Sequence, residues 1–281
     1  MKAQSLQVNL TGPCNAHCPF CISKTTWKSG VSNNDKIFKN MSKVFNFAKY
    51  HRVDTVMITG TGEPTLVDDF QEIILEAHEF GFPCIEIQTN GQRLWDEPKL
   101  LDELIGSGLT GIAVSIASPD PKRSNEIMGV NYDYLDLMNV ASKKGLLCRI
   151  TLNLIEGEIF NWNLKAWADN LVFNGVHQLT LRVIGKPSFN VLDTEASERV
   201  CSWIDKNALH DPSKLIEEIE TGGIAIRETS FGTRVYDYMG LSTCVATCMQ
   251  ESIDPEEIRS LILQPNGRLY SSWQFPGSIL L

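Results

Sequence analysis

Apolar strand-like runs alternate with amphipathic helical ones along most of this chain, and no other feature limits the fold as strongly. Strand signals fall at Leu6–Leu10, Thr55–Thr59, Cys84–Gln88, Gly111–Ile116, Cys148–Leu154 and Gln178–Ile184. Between the first two, Asn34-Asp35 can cap a helix that places Ile37, Met41, Val44 and Phe45 on one face and Lys36, Lys39 and Lys43 on the other. Further helical stretches run over Leu66–Phe80 up to Gly81, Pro98–Ile105, most of Asp120–Lys144, and Trp162–Phe173. Parallel strands need long crossovers, which helices usually supply, so this repeat predicts an α/β fold with a parallel sheet covered by helices.

The first strand runs into Gly12-Pro13-Cys14-Asn15-Ala16-His17-Cys18-Pro19-Phe20-Cys21, three cysteines in one short loop. Thiolates are the usual ligands of iron–sulfur clusters, and three of them leave one iron of a four-iron cube free to bind something else. A structural zinc is the competing reading, but zinc normally takes four ligands in two separated pairs, and no partner pair lies nearby. Disulfides fit worse, because Met1 to Ser5 leads directly into a strand with no export signal.

The C-x3-C-x2-C spacing, with Phe20 before the third cysteine, resembles the signature of the radical S-adenosylmethionine (SAM) superfamily. A second motif strengthens the resemblance. Val56 to Thr59 is an apolar strand entering Gly60-Thr61-Gly62-Glu63-Pro64, similar to the family's Gly-Gly-Glu-Pro, with Thr61 standing at its first position. The resemblance implies a [4Fe-4S] cluster on Cys14, Cys18 and Cys21 that chelates SAM through its open iron. It implies that the backbone of Gly60, Gly62, Glu63 and Pro64 receives the SAM amino group, with Phe20 also at the cofactor. Reductive cleavage would then give a 5′-deoxyadenosyl radical that takes hydrogen from a substrate. The fold implied is a partial (β/α)6 barrel resembling a TIM barrel, over residues 1–185, followed by a C-terminal α+β extension, residues 186–281, that covers it.

Within the superfamily, the barrel is most similar to the GTP 3′,8-cyclases of molybdenum-cofactor synthesis. Thr89-Asn90-Gly91 resembles their third-strand ending, and Val114 to Pro121 their fourth strand and turn. By that likeness Thr89 and Ser115 would hydrogen-bond SAM, and Asn153 and Arg182 would line the barrel mouth. Hydroxyls at strand ends also satisfy local backbone and an Arg can serve as a surface ion-pair residue, so for Thr89, Asn153 and Arg182 a structural role stands equally, while for Ser115 function is favoured.

Past Gly185 the likeness thins. Asp211-Pro212 opens a helix through Leu215 and Ile219 that stops at Gly222-Gly223. Hairpin signals follow at Ile224–Tyr236, around Phe231-Gly232, and at Ser260–Tyr270, where Asn266-Gly267 reads as a type I′ turn. Between them stand Cys244 and Cys248. The cyclases bind an auxiliary cluster in this region, but here Ser271-Ser272 takes the place of their last cysteine, and a third ligand would have to be Cys201 from a distance or a group other than cysteine. A metal-free remnant is therefore favoured over a second cluster. The cyclases' basic Gly-Arg-Arg tail is missing after Phe275, so GTP cyclisation is not expected. Cys84 and Cys148, inside strands, read as core residues.

A net charge of −9 argues against a nucleic-acid duplex as substrate. No apolar run approaches the roughly 18 residues of a membrane span. Eight cysteines without an export signal fit a reducing, cytoplasmic setting. The expected function is hydrogen abstraction from a small polar molecule, a nucleotide among the candidates, with electrons from a flavodoxin or ferredoxin. Glu156, Arg182, Arg227 and Arg234 are charged candidates for anchoring it. The alternatives are a peptide maturase, against which the short segment before the first strand counts, a glycyl-radical activase, faintly favoured by Thr25-Thr26-Trp27, and a non-catalytic iron–sulfur binding or sensing protein.

Overall fold

The computed structural model describes residues 2–25, 32–186, 193–229, 232–247, 257–273 and 275–281. Strands β1 (Lys2–Leu10), β2 (Thr55–Gly60), β3 (Cys84–Thr89), β4 (Gly111–Ile116), β5 (Leu147–Leu154) and β6 (Gln178–Val183) lie where the alternation predicts them. They pair in chain order and all in parallel. The crossovers carry α1 (Asp35–Tyr50), α2 (Phe70–Glu79), α3 (Gln92–Asp96), α4 (Pro98–Gly106), α5 (Pro121–Met128), α6 (Tyr134–Lys143) and α7 (Leu164–Phe173).

Strand alternation decides which side of the sheet the helices cover. Leu6, Val8 and Leu10 of β1, and Ile112, Val114 and Ile116 of β4, are almost wholly buried in one cluster with Ile37, Phe45, Ile73 and Leu104 from the helices. Burial of each such side chain contributes about 1.5–3 kcal/mol. The intervening strand residues face the opposite, inner side. Cys148 belongs to the helix-side core as expected, whereas Cys84 alternates to the inner side and is only half-buried.

The C-terminal residues enlarge the sheet beyond six parallel strands. After α8 (Glu195–Asn207) and α9 (Ser213–Gly222) come β7 (Ile224–Glu228), β8 (Arg234–Tyr238), β9 (Leu241–Thr247), β10 (Glu257–Leu263) and β11 (Leu269–Tyr270). The strand order is β11-β10-β1-β2-β3-β4-β5-β6-β9-β8-β7. β9 joins β6 in parallel and β10 joins β1 in parallel, so the described parallel run has two more strands than the sequence indicates, and the sheet stays open. β7 and β8 pair as the first predicted hairpin, whose Phe231 lies outside the described residues.

The second hairpin has a different turn from the one expected. Leu263 pairs with Leu269, and Gln264 N–H donates to Arg268 O, leaving the three-residue loop Pro265-Asn266-Gly267. Gly267 has φ +74° and Asn266 does not have positive φ, whereas a type I′ turn needs positive φ at both central positions. Pro265 presets the negative φ of a type I turn, and Gly267 takes the left-handed position that follows.

Candidate active site

The three-cysteine loop leaves the carboxyl end of β1 and is tied down on several sides by backbone and side-chain bonds. Thr11 N–H donates to Asn34 Oδ1 at 2.9 Å, and Asn34 Nδ2 returns a bond to Thr11 O at 2.9 Å. Asn34 stands at the cap position of α1 as its residue type predicts, but its amide is spent on the loop and makes no cap bond. Next, Thr61 N–H donates to Leu10 O and Glu63 N–H to Pro13 O, both at 2.8 Å. A Cβ at Gly62 would lie 2.2 Å from Gly12 O, so the second motif and the cysteine loop meet backbone against backbone. The structure uses Gly62 for the approach of one loop to another.

Glu63 is buried at the centre of this junction. Its Oε1 accepts from Thr65 N–H (3.2 Å), Thr65 Oγ1 (2.8 Å) and Thr89 Oγ1 (2.7 Å), and its Oε2 from Asn90 N–H (2.8 Å). Burial pushes the carboxyl pKa up, and the four donors oppose it. Pro64 starts the short 3-10 turn Pro64–Leu66, which aims Thr65 back at Glu63. The Thr89 hydroxyl is also engaged by Gly91 N–H, so the structure supports its local role. Asn90 was not singled out from the sequence. Its Nδ2 donates to Asn15 Oδ1 at 2.7 Å and lies 3.9 Å from Cys14 Sγ, and its carbonyl accepts from Tyr132 Oη. Its place directly after an apolar strand was the available signal.

The far side of the loop is held by α5 and α8. His17 N–H donates to Met128 O, an end carbonyl of α5, at 2.6 Å. Phe20 packs on Trp203 of α8 with ring centroids 5.6 Å apart, inside a second hydrophobic cluster that includes Met128, Ile155, Ile184, Val200 and Ile204. A helix beyond the barrel strands thus forms a wall of the loop.

Cys14 is exposed, and Cys18 and Cys21 are half-buried. Burial raises the pKa of Cys14 and pushes Cys18 up to about 12, and the neighbouring cysteines add to the rise at both. Among the described residues, no three His, Cys, Asp or Glu side chains are already drawn into a metal-binding group. The donor set nonetheless fits an iron–sulfur cluster: three soft thiols share one braced loop, and bound cations would favour the thiolates that burial disfavours.

The remaining predicted residues lie on the inner side of later strands. Ser115 is half-buried, with no hydroxyl partner among the described residues. Asn153 and Arg182 are register neighbours on β5 and β6, and Asn153 Nδ2 donates to Ile116 O at 3.2 Å. Cys244 sits beside Thr180, 3.9 Å from its hydroxyl. Cys201 is on α8. Cys248, Thr26 and Trp27 lie outside the described residues. Arg234 pairs with Glu220 and Glu228, which leaves it poorly placed to anchor a substrate. Ser271 and Ser272 bond to Ser278 in the C-terminal segment.

A cysteine loop braced by a buried Glu-Pro turn, at the carboxyl ends of parallel strands, defines an α/β protein of the iron–sulfur and SAM class. The family model of the Radical SAM superfamily matches residues 8–162, more than half of the chain, and the chain belongs to that superfamily. Its members use a [4Fe-4S] cluster and SAM. Among curated proteins, the chain is 33% identical over 132 residues to a probable GTP 3′,8-cyclase of Sulfolobus acidocaldarius, covering 46% of this chain and 39% of that one. It is 34% identical over 134 residues to the GTP 3′,8-cyclase of Vibrio vulnificus, covering 46% and 38%. The matches thus span about two fifths of those relatives' length. Among solved structures, Streptococcus suis SuiB bound to S-adenosylmethionine superposes with a TM-score of 0.64 at 17% identity, covering 98% of this chain and 61% of that one. That likeness concerns the fold. No helix among the described residues is long and apolar enough to cross a membrane.

Proposed function

We propose that this chain is a radical SAM enzyme that cleaves SAM reductively to a 5′-deoxyadenosyl radical and abstracts hydrogen from a small polar substrate, a nucleotide among the candidates. The observation that carries the reading is the junction of the two motifs, where Gly62 and Glu63 are bonded and packed onto Gly12 and Pro13. Cys14, Cys18 and Cys21 would hold the cluster. When bound, the cluster supplies the electron that splits SAM.

The protein's own groups have simpler tasks. Glu63 and Asn90 fix the cysteine loop, Phe20 and Trp203 shield one side of it, and Gly60 to Pro64 border the SAM site. Ser115 keeps a hydroxyl available there, and Asn153 and Arg182 flank the mouth. Residues 1–185 form the catalytic barrel in this reading and 186–281 its extension, with α8 contributing the wall. The cysteine content suits the reducing cytoplasm, where a flavodoxin or ferredoxin would be the electron donor. A peptide substrate is the second reading, favoured by the outermost strand β7, whose Ile224 and Ile226 are exposed at an open sheet edge.

Anaerobic reconstitution with iron and sulfide, reduction and addition of SAM test the proposal. Production of 5′-deoxyadenosine with about four irons per chain is expected, as the composition of one cubane cluster requires. An intact, reduced cluster that leaves SAM uncleaved would overturn it in favour of a binding or sensing role.

A further inference from the structure

The inner side of the parallel sheet has the wrong residues for a packed core. Filled barrels of this type are dominated inside by Val, Ile and Leu. Here the strands turn Gln7, Asn9, Gln88, Asn153 and Gln264 inward, while their apolar neighbours go to the helices. One inner row, fixed by strand register, runs Ser115, Thr151, Thr180, Cys244. Small polar side chains in such a row leave space that a polar molecule can occupy.

Below that row lies a charged floor. Arg149 Nη2 pairs with Glu86, from β5 to β3, across β4. The bridge is possible because the β4 residues in register with the pair are Gly111 and Ala113, which have almost no side chain to obstruct it. Arg149 is not satisfied by this pairing: its Nε is buried without a hydrogen-bond partner. Asn9 Oδ1, also buried and on the inner side, has none either. Burial pushes the Glu86 carboxyl pKa up, and Arg149 beside it opposes that shift. Arg149 stands two residues before Thr151 on β5 and so on the same inner side as the row that ends at Cys244. Orphaned buried polar atoms are rare in folded proteins and point to an unseen partner.

We propose that the substrate carries an anionic group, a carboxylate or a phosphate, that enters the inner side of the sheet and is bound by Arg149, directly below the row that ends at Cys244. This rests on the reading of the chain as a radical SAM enzyme with a small polar substrate, and it adds the charge of that substrate and the residue that selects it. Glu86 orients the guanidinium through Nη2 and, by its own charge, limits how tightly an anion is held.

Cys244 provides the readout. Cluster-loaded protein would be treated anaerobically with iodoacetamide, and modification of Cys244 followed by peptide mass spectrometry. The added probes are sodium pyrophosphate, sodium malonate and uncharged malonamide. Slower modification with pyrophosphate alone assigns a phosphate, and with malonate alone a carboxylate; malonamide should have no effect. Glu86→Gln removes the competing charge and should lower the anion concentration giving half-protection several-fold. The double variant Glu86→Gln, Arg149→Gln keeps an uncharged pair of similar shape and should lose the protection. The inference is overturned if neither anion protects, if malonamide protects equally, or if protection is the same in both variants as in the native protein. Protection does not depend on SAM cleavage, so its failure and a failure to form 5′-deoxyadenosine are separate results.

Discussion

Replacing Gly62 by alanine tests the junction of the two motifs most directly. The added Cβ would stand 2.2 Å from Gly12 O and 2.4 Å from Pro13 O, where real Cβ atoms essentially never come within 3.0 Å. Both obstacles are backbone, so the loops themselves must part by about 0.8 Å. That opens the 2.8 Å bond from Glu63 N–H to Pro13 O to about 3.6 Å, outside hydrogen-bonding range. Overpacking costs about 1–3 kcal/mol, and an unsatisfied buried donor a similar amount. A loss of about 3 kcal/mol, roughly 100-fold in the folding equilibrium, is the expected outcome. Urea unfolding of the cluster-free protein measures the stability, and iron per chain after reconstitution measures the site; both should fall. Gly12→Ala is the control, because its Cβ would meet only the Val67 side chain, whose Cγ2 at 2.7 Å is a tip that can turn away. Native stability together with full iron loading in Gly62→Ala would refute the argument.

Cys18→Ala should abolish cluster binding and SAM cleavage together, as read by iron content and 5′-deoxyadenosine; a full SAM-cleaving cluster in this variant would contradict the ligand assignment. Trp203→Ala removes the ring on which Phe20 packs, worth about 0.5–1.5 kcal/mol as an aromatic pair, and should speed loss of iron to a chelator several-fold, with Trp203→Phe restoring retention. Cys148 gives a pH prediction. Burial raises its pKa from 9.0 to about 12, so the unfolded chain ionises first, and the stability this thiol contributes below pH 9 is lost as pH climbs toward 12. Urea midpoints of the native protein should therefore fall more steeply in alkali than those of Cys148→Ala, and parallel declines would count against it. Asn34→Ala should free the start of the cysteine loop, costing about 1–3 kcal/mol for its two bonds and lowering iron retention more than α1 helicity by circular dichroism.

The local part of this fold was legible in the sequence. Runs such as Gly111–Ile116 declare both a strand and its helix-facing side, and the crossovers between them force a parallel sheet. The pairing of β9 with β6, and of β10 with β1, was not legible. Nothing within Leu241–Thr247 states that Cys244 will lie beside Thr180, and nothing near Ser5 names Ser260 as its neighbour. The same limit applies at the site. Cys14, Cys18, Cys21 and the Glu63-Pro64 turn announce themselves by spacing, but whether Gly62 makes room for a ligand or for Gly12 depends on a contact between loops distant in sequence. Asn34 has the residue type and position of a helix cap, and only the course of the preceding loop diverts it. Asn266-Gly267 shows a local signal overruled by its neighbour, since Pro265 selects a longer turn.

The position of β10 beside β1 has a consequence for how the molecule is made. Ser5 bonds to Ser260, Asn9 to Gln264 and Gln7 to Trp273, so the strand that carries the cysteine loop keeps one bare edge until residues near the end of the sequence leave the ribosome. Synthesis runs from the N-terminus at about 5–20 residues per second, and β2 to β6 can assemble on β1 well before that edge is closed. Iron arriving during translation would meet a loop rooted in a half-supported strand. Chains that lack residues 257–273 should therefore hold metal less firmly than the complete sheet does.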